Sequence, residues 1–496
     1  MPTLSAMTDL QAADEPASPG DSTAVLGAPL SEVDPEIAEL IGHELGRQRA
    51  TLDLVASESV PPRAVLEAQG SVLTAKYADG YAGKRDYDTC EVVDEIELLA
   101  IARAKDLFGA AHANVQPYSG SNANFCVLHA LCDPGDAVLG FDFSHGGHPT
   151  HYHGSTFAGR YFEAVGYHVR RDDRLVDMDE VAELARRHRP KVIFAGWSCY
   201  PRFLDFQAFR QICDDVGAYL VVDMAHFAGL VAAGLHPDPV GYADACTMTV
   251  HKTLGGARGG AILSTEALAE RIDAAVYPGE QGCPLMHVIA AKAVTFALAG
   301  TDAYRERMER TVEGAQTIAA ALVAAEARTG ATVVTGGTDV HQLLVDLGGG
   351  GASAAGEASN HASGATRAVG AGGEAVPASS SWSERESAPR TGREAWTELH
   401  RLNEIGISAN AIRLAYDALP EPGASGLRFG TTALASRGFG QPEFAEVGAI
   451  LAEALSLDDS AGARPAAARC AERVRALTEA HPLYDYIEQA RGGCGR

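Results

Sequence analysis

Across residues 52–300, short apolar runs alternate with helical segments, and that order restricts the fold more than any other feature of the chain. Ala137-Val138-Leu139-Gly140-Phe141, Val192-Ile193-Phe194-Ala195-Gly196, Tyr219-Leu220-Val221-Val222-Asp223 and Gly260-Ala261-Ile262-Leu263 have the length and apolar character of strands buried on both faces. Residues 94–108, ahead of the first of these runs, and residues 178–188, between two of them, carry helical spacing. The alternation predicts an α/β chain, with helices on both faces of a parallel sheet and ligands at the carboxyl ends of the strands.

At 496 residues the chain exceeds one ordinary core. Residues 1–31, rich in Ala, Ser, Pro and Asp, read as a disordered tail. A helix is expected after Ser31 or Asp34, with Ile37, Leu40, Ile41 and Leu45 on one face. Residues 32–300 read as an N-terminal arm and large domain, and residues 301–496 as a smaller C-terminal domain of helices and a few strands. Within the latter, residues 348–394 hold a four-glycine run and Ser379-Ser380-Ser381. Such a stretch buries too little apolar surface to offset its ordering entropy and reads as a disordered insertion.

A net charge of −25 disfavours nucleic acid and anionic membrane as partners. No run approaches the roughly 20 apolar residues of a membrane span. The first 30 residues contain no Lys or Arg and no signal-peptide core. Nine scattered cysteines without a CxxC pair point to reduced thiols rather than disulfides or a zinc site. A cytoplasmic location is expected.

The chemistry is concentrated in a few segments. Lys252, in Thr249-Val250-His251-Lys252-Thr253, follows Asp223 by 29 residues, each near the end of its own strand. A pyridoxal phosphate enzyme needs such a pair: the lysine forms a Schiff base, and the aspartate keeps the pyridine nitrogen protonated. Tyr118-Ser119-Gly120-Ser121-Asn122 opens a helix, where small residues expose amide donors to a phosphate. An ordinary serine N-cap would explain that segment alone; with Asp223 and Lys252 downstream, phosphate binding is the better reading. In Ser144-His145-Gly146-Gly147-His148, an imidazole freed by glycines could lie on a cofactor ring, although a lone histidine is more often a loop or core residue. Arg428, in Gly426-Leu427-Arg428-Phe429-Gly430, offers a bidentate grip for a carboxylate, with a surface salt bridge as the competing reading.

Together these residues resemble the serine hydroxymethyltransferases, pyridoxal phosphate enzymes of fold type I, over residues 52–300 and again over 404–439. The resemblance rests on Leu54-Val55-Ala56-Ser57-Glu58-Ser59, Lys76-Tyr77-Ala78-Asp79-Gly80-Tyr81, His145-Gly146-Gly147-His148, Asp223-Met224-Ala225-His226, His251-Lys252-Thr253-Leu254 and Pro284-Leu285-Met286-His287. It implies a mostly parallel seven-stranded sheet in a large domain, with a smaller α+β C-terminal domain. It also implies that Lys252 carries the cofactor, Asp223 meets the pyridine nitrogen and His145 stacks on the ring. Ser119, Gly120 and Ser121 would hold the phosphate, with Gly282 contributing from a glycine loop. Ser198 and His226 would touch the cofactor or substrate, and Ser57 and Arg428 would bind the substrate carboxylate. His251, Asp79 and Tyr87 would join Lys252 in catalysis, with Tyr77 and Tyr87 coming from a neighbouring subunit of a homodimer or dimer of dimers. Serine and glycine would be the substrates and tetrahydrofolate the cosubstrate.

The chain departs from the family pattern at several positions, so it reads as a divergent member. Asp79 stands where glutamate is usual, shortening the carboxyl's reach by roughly 1.5 Å, the length of one C–C bond. Asp86 replaces an aromatic that packs on folate, and Ile412 an asparagine that recognises the pterin. Val250 replaces a threonine, while Glu280 and Cys283 interrupt the glycine loop. These changes leave open a folate-independent threonine aldolase or transaldolase, or an α-methylserine hydroxymethyltransferase. A non-catalytic scaffold is a remoter alternative, since Lys252, Asp223 and Arg428 are all retained.

Overall fold

The structure is a computed structural model and describes residues 24–348, 394–417, 423–457 and 463–487. Its main sheet has seven strands: β1 (His112–Asn114), β2 (Ala137–Phe141), β3 (Glu163–Tyr167), β4 (Val192–Gly196), β5 (Tyr219–Asp223), β6 (Ala245–Thr249) and β7 (Gly260–Ser264). Their spatial order is β1-β7-β6-β5-β4-β2-β3. Strands β2 to β6 pair in parallel, and β7 runs antiparallel to both its neighbours.

Burial follows the two-residue period of a pleated strand. Leu139, Ile193, Leu220 and Val222 enter one hydrophobic core, whereas Val138, Val192, Phe194 and Val221 enter another across the sheet. Each fully buried Val, Leu or Ile there contributes about 1.5–3 kcal/mol of transfer free energy. With both faces of the central strands covered, loops can present polar groups at the strand ends.

A second sheet contains β8 (Thr332–Val333), β9 (Gln342–Asp346), β10 (Asn410–Ile412) and β11 (Gly426–Gly430) in the order β8-β9-β11-β10, all antiparallel. Leu343, Val345, Leu427 and Phe429 form its core together with Leu52 and Leu54. Those two leucines precede the main sheet in sequence, yet Leu52–Asp53 pairs with Ile407–Ser408 and draws the chain's early part into the second core. Leu52–Pro482 is one compact unit that includes both sheets.

The other unit comprises Met1–Thr51 and Leu483–Arg496. Its long helix α1 (Pro35–Ala50) starts where Asp34 Oδ1 accepts a hydrogen bond from Ile37 N at 3.0 Å. Ile37, Leu40 and Ile41 on it are exposed. Short helical turns at Ala24–Gly27 and Leu30–Val33 occupy the end of the stretch expected to be a disordered tail, and residues 1–23 lie outside the described part. The expected insertion at 348–394 lies almost wholly outside it too. No described helix is long and apolar enough to cross a membrane. The eight cysteines among the described residues are all free.

Candidate active site

Asp223 ends β5 and is buried within a collar of donors. Asn124 Nδ2 donates to its Oδ2 at 2.8 Å, His151 Nε2 lies 3.0 Å from the same oxygen, and Ala225 N donates to Oδ1 at 3.0 Å. Burial alone would raise the carboxyl's pKa, but the bonds from His151 and Asn124 and the charges of His151 and His148 hold it far below the usual carboxylate range. Asn124 is fixed in turn: its Oδ1 accepts from Thr247 Oγ1 at 2.6 Å, and its Nδ2 also reaches Thr150 Oγ1 at 2.8 Å. The His151 ring stacks on Phe194, with centroids 4.8 Å apart.

Lys252 follows β6, the strand beside β5. Among the described residues its Nζ has no hydrogen-bond partner. Burial lowers its pKa to about 8 against the opposing pull of Asp223, so a usable fraction of free amine exists near neutral pH. Helix α2 (Gly120–Leu131) points its N-terminus at the same strand end. A Cβ at Gly120 would lie 2.6 Å from Thr249 Cγ2, so only glycine lets the helix start this close to the lysine loop. Ser119 caps the helix by accepting from Asn122 N at 3.1 Å, while Gly120 and Ser121 complete its first turn. His251, beside Lys252, has a buried Nδ1 without a partner and a pKa lowered to about 4 by burial, Arg258 and Lys252.

Arg428 reaches this region from β11 of the second sheet. Its Nη1 donates to Ser198 O at 2.8 Å and lies 3.3 Å from Cys199 Sγ; its Nη2 donates to Asn410 Oδ1 at 2.8 Å. No carboxylate of the described residues pairs with it, which disposes of the salt-bridge reading. The charges of Arg428 and Lys252 both press on buried His226, whose pKa burial has already driven far down. His226 Nδ1 lies 3.5 Å from His341 Nε2. The segment leading to Ser57 crosses the end of β11 so closely that a Cβ at Gly430 would lie 2.3 Å from Ala56 Cα. Ile412, Cys199 and His145 line a small cavity of about 30 Å³ alongside.

His145 is not the histidine at the Asp223 end. Its ring packs edge-on to His168 and Tyr416, at 4.6 and 4.7 Å between centroids, and its Nδ1 accepts from Val169 N at 3.2 Å. The turn through Gly146 and Gly147 instead delivers His148, which sits with His151 and Asp223 so that their polar atoms lie within 4.8 Å of one another. A Cβ at Gly147 would overlap Phe141 O at 1.9 Å, so the chain reverses there only because that residue is glycine. Burial lowers the pKa of His148 to about 4, with Asp223 opposing and His151 and Lys252 assisting.

Tyr77, Asp79 and Tyr87 form a separate cluster. The tyrosine rings meet edge-on at 5.6 Å, and both are exposed. Asp79 Oδ1 is buried without a partner, and burial together with the charge of Asp79 raises the pKa values of Tyr87 and Cys283. Arg85 fixes this loop by donating from Nη1 to Ala78 O at 2.8 Å and Gly80 O at 2.7 Å, with Glu97 buried against its Nη2 and Asp94 Oδ1 2.8 Å from its Nε. Asp86 accepts from the Tyr277 hydroxyl. Glu280, which as a free carboxylate would repel a phosphate, is taken up by His129 Nδ1 at 2.8 Å. Gly282 beside it is exposed.

Comparison with known proteins agrees with this arrangement. The family model described as "Serine hydroxymethyltransferase" matches residues 30–399. The chain belongs to the serine hydroxymethyltransferase family. A serine hydroxymethyltransferase of Clavibacter michiganensis subsp. michiganensis is 51% identical over 464 residues, covering 93% of this chain and 98% of the relative. One from Nocardia farcinica is 50% identical over 460 residues (92% and 96%). Serine hydroxymethyltransferase 1 of Mycobacterium tuberculosis is 50% identical over 469 residues (94% and 97%). At such identity the chain is an ordinary member rather than the divergent one its altered positions suggested. Those changes gather mainly around Asp79 and Ile412, whereas the similarity extends along 92–94% of the chain.

Proposed function

We propose that this chain is a pyridoxal phosphate-dependent hydroxymethyltransferase that interconverts serine and glycine, with tetrahydrofolate as the one-carbon partner. The observation that carries the reading is the convergence of an unpartnered Lys252 amine, the buried Asp223 anion and an Arg428 guanidinium without a carboxylate. The relatives' names favour hydroxymethyl transfer over folate-independent cleavage.

The residues fit the cofactor. Lys252 would hold its aldehyde, Asp223 its pyridine nitrogen, and the first turn of α2 with His251 its phosphate. His148, rather than His145, would cover the ring. When bound, the cofactor supplies an electron sink for cleavage between the substrate's Cα and Cβ. Arg428 and Ser57 would bind the amino acid's carboxylate, and Ser198 and Asn410 keep the guanidinium aimed. Asp223 stays ionised because of its collar and so keeps a proton on the ring nitrogen. Asp79, with its buried Oδ1 unpartnered, would take the proton from the serine hydroxyl.

The contacts of Asp79 include none of the Lys252 group, so each would complete the site of a second copy. Exposed Val72, Val92, Leu98 and Leu99 lie in the same stretch of sequence as Tyr77 and Tyr87, and such apolar residues suit a homodimer interface.

The test is to incubate purified protein with serine and tetrahydrofolate and to quantify glycine and the one-carbon folate together. Equimolar formation is expected. Aldehyde release from β-hydroxy amino acids without any response to folate would refute the transfer reading and favour cleavage.

A further inference from the structure

Behind the Lys252 loop lies a second cavity that the proposed reaction does not use. Helices α3 (Met286–Ala299) and α4 (Asp302–Thr329) contribute to its walls. It has a volume of about 230 Å³ and is lined by Leu254, Gly255, Thr295, Tyr304, Arg307 and Arg310, among others. At about 30 Å³ per water, it has room for a tetrahedral oxyanion and an attached carbon.

Its charge is one-sided. The lining contains two guanidinium groups and no Asp or Glu. Among the described residues neither arginine makes an ion pair, although Arg305, on the same helix, pairs with Glu309 at 3.2 Å. Arg307 Nε is buried without a partner, and its guanidinium carbon lies 4.7 Å from the Tyr304 ring centroid. Burial lowers the Arg307 pKa against the opposing pull of Tyr304, and the neighbouring Arg310 lowers it further, so the charge is held at a cost. The two threonine hydroxyls of the lining do not offset it: Thr295 Oγ1 already donates to Ala291 O at 2.8 Å, and Thr301 Oγ1 to Leu298 O at 2.7 Å. A desolvated cation facing a like charge needs an anion from outside.

We propose that this cavity binds a phosphate-type oxyanion between Arg307 and Arg310. A dianion matches two guanidinium groups, whereas a single carboxylate would leave one uncompensated. The site is wired to the lysine loop. Tyr304 Oη donates to Thr253 O at 3.1 Å, and a Cβ built on Gly255 would lie 3.5 Å from Arg307 Nη2. Gly255 N in turn donates to Lys252 O at 2.9 Å. An anion that orders Arg307 therefore stiffens the turn that carries the lysine.

The experiment is thermal unfolding of the cofactor-saturated protein, titrated with inorganic phosphate or glycerol phosphate against chloride of equal ionic strength. Saturation with cofactor keeps the helix α2 terminus from answering instead. Wild-type protein should show a saturable rise in midpoint. R307Q and R310Q should bind at least ~10-fold more weakly, the loss of one charge-assisted contact, while R305Q responds as wild type. In chloride alone R310Q should unfold no earlier than wild type, because a repulsion has been removed. The stronger of the two phosphate responses tells a free ion from a phosphomonoester. An absent response, as when a second chain's carboxylate fills the cavity, overturns the proposal, and so does an equal response in R310Q.

Discussion

Asn124 is the residue whose replacement most directly tests how Asp223 is kept charged. In N124A the Nδ2 bond of 2.8 Å to the Asp223 carboxylate is lost. A hydrogen bond to a buried charge is worth about 1.5–3 kcal/mol, and the orphaned hydroxyl of Thr247 costs about 1–3 more. Thr150 adds little, because its Oγ1 keeps His148 Nδ1 at 2.6 Å. The expected destabilisation is therefore about 3–5 kcal/mol, read as the shift in urea midpoint of cofactor-free protein at fixed concentration. N124D should be worse at neutral pH. Two carboxylates about 3 Å apart repel by about 5 kcal/mol even at an effective dielectric of ~20. That repulsion raises the folded pKa of the pair above its unfolded value. The deficit of N124D relative to wild type should then shrink in acid and grow as pH rises through the raised pKa. A loss below ~1 kcal/mol in N124A would mean that His151 and Ala225 alone hold Asp223, and the collar argument would fail.

Three further outcomes follow from the site. Lys252→Ala should abolish borohydride-fixable attachment of pyridoxal phosphate, and in wild type the attachment rate should rise with pH through about 8 as the amine deprotonates; a pH-independent rate would contradict a burial-lowered lysine. Arg428→Lys should lower kcat/KM for serine by ~30–100-fold, about 2–3 kcal/mol, mainly through KM, with Asn410→Ala smaller in the same direction; a pure kcat effect would place Arg428 elsewhere in the reaction. Mixing inactive Lys252→Ala and Asp79→Asn proteins under conditions of subunit exchange should restore activity, because one site of the hybrid keeps both groups; no recovery would put both in a single chain's site.

The alternation of apolar runs revealed the α/β class and four of the seven strands. β6 escaped because Ala245-Cys246-Thr247-Met248-Thr249 has no continuous branched apolar run, although all five residues are buried. β1 is three residues long, and β3 is half-buried, so neither announces itself. Lys252, Asp223 and Arg428 were legible because each sits at a strand end or within a strand with little polar company. The histidine that sits beside Asp223 was not, since residues 145–153 hold four of them and only the reversal at Gly146 and Gly147 decides which turns toward it. Asn124, Thr150 and His151 are ordinary helix and loop residues whose meeting at Asp223 depends on the pairing of β2, β4, β5 and β6. Cys199 and Asn410 gain meaning only once β11 brings Arg428 to them.

The contact between Gly120 and Thr249 has a consequence for how this scaffold could be re-engineered. It joins the helix terminus proposed to hold the phosphate and the lysine loop into one block on the main sheet. The proposed grip on the amino acid comes from another block, the antiparallel sheet of β8 to β11. Substrate choice can therefore drift, or be redesigned, by exchanging β10 and β11 and their flanking segments while the anchoring of the cofactor is inherited unchanged.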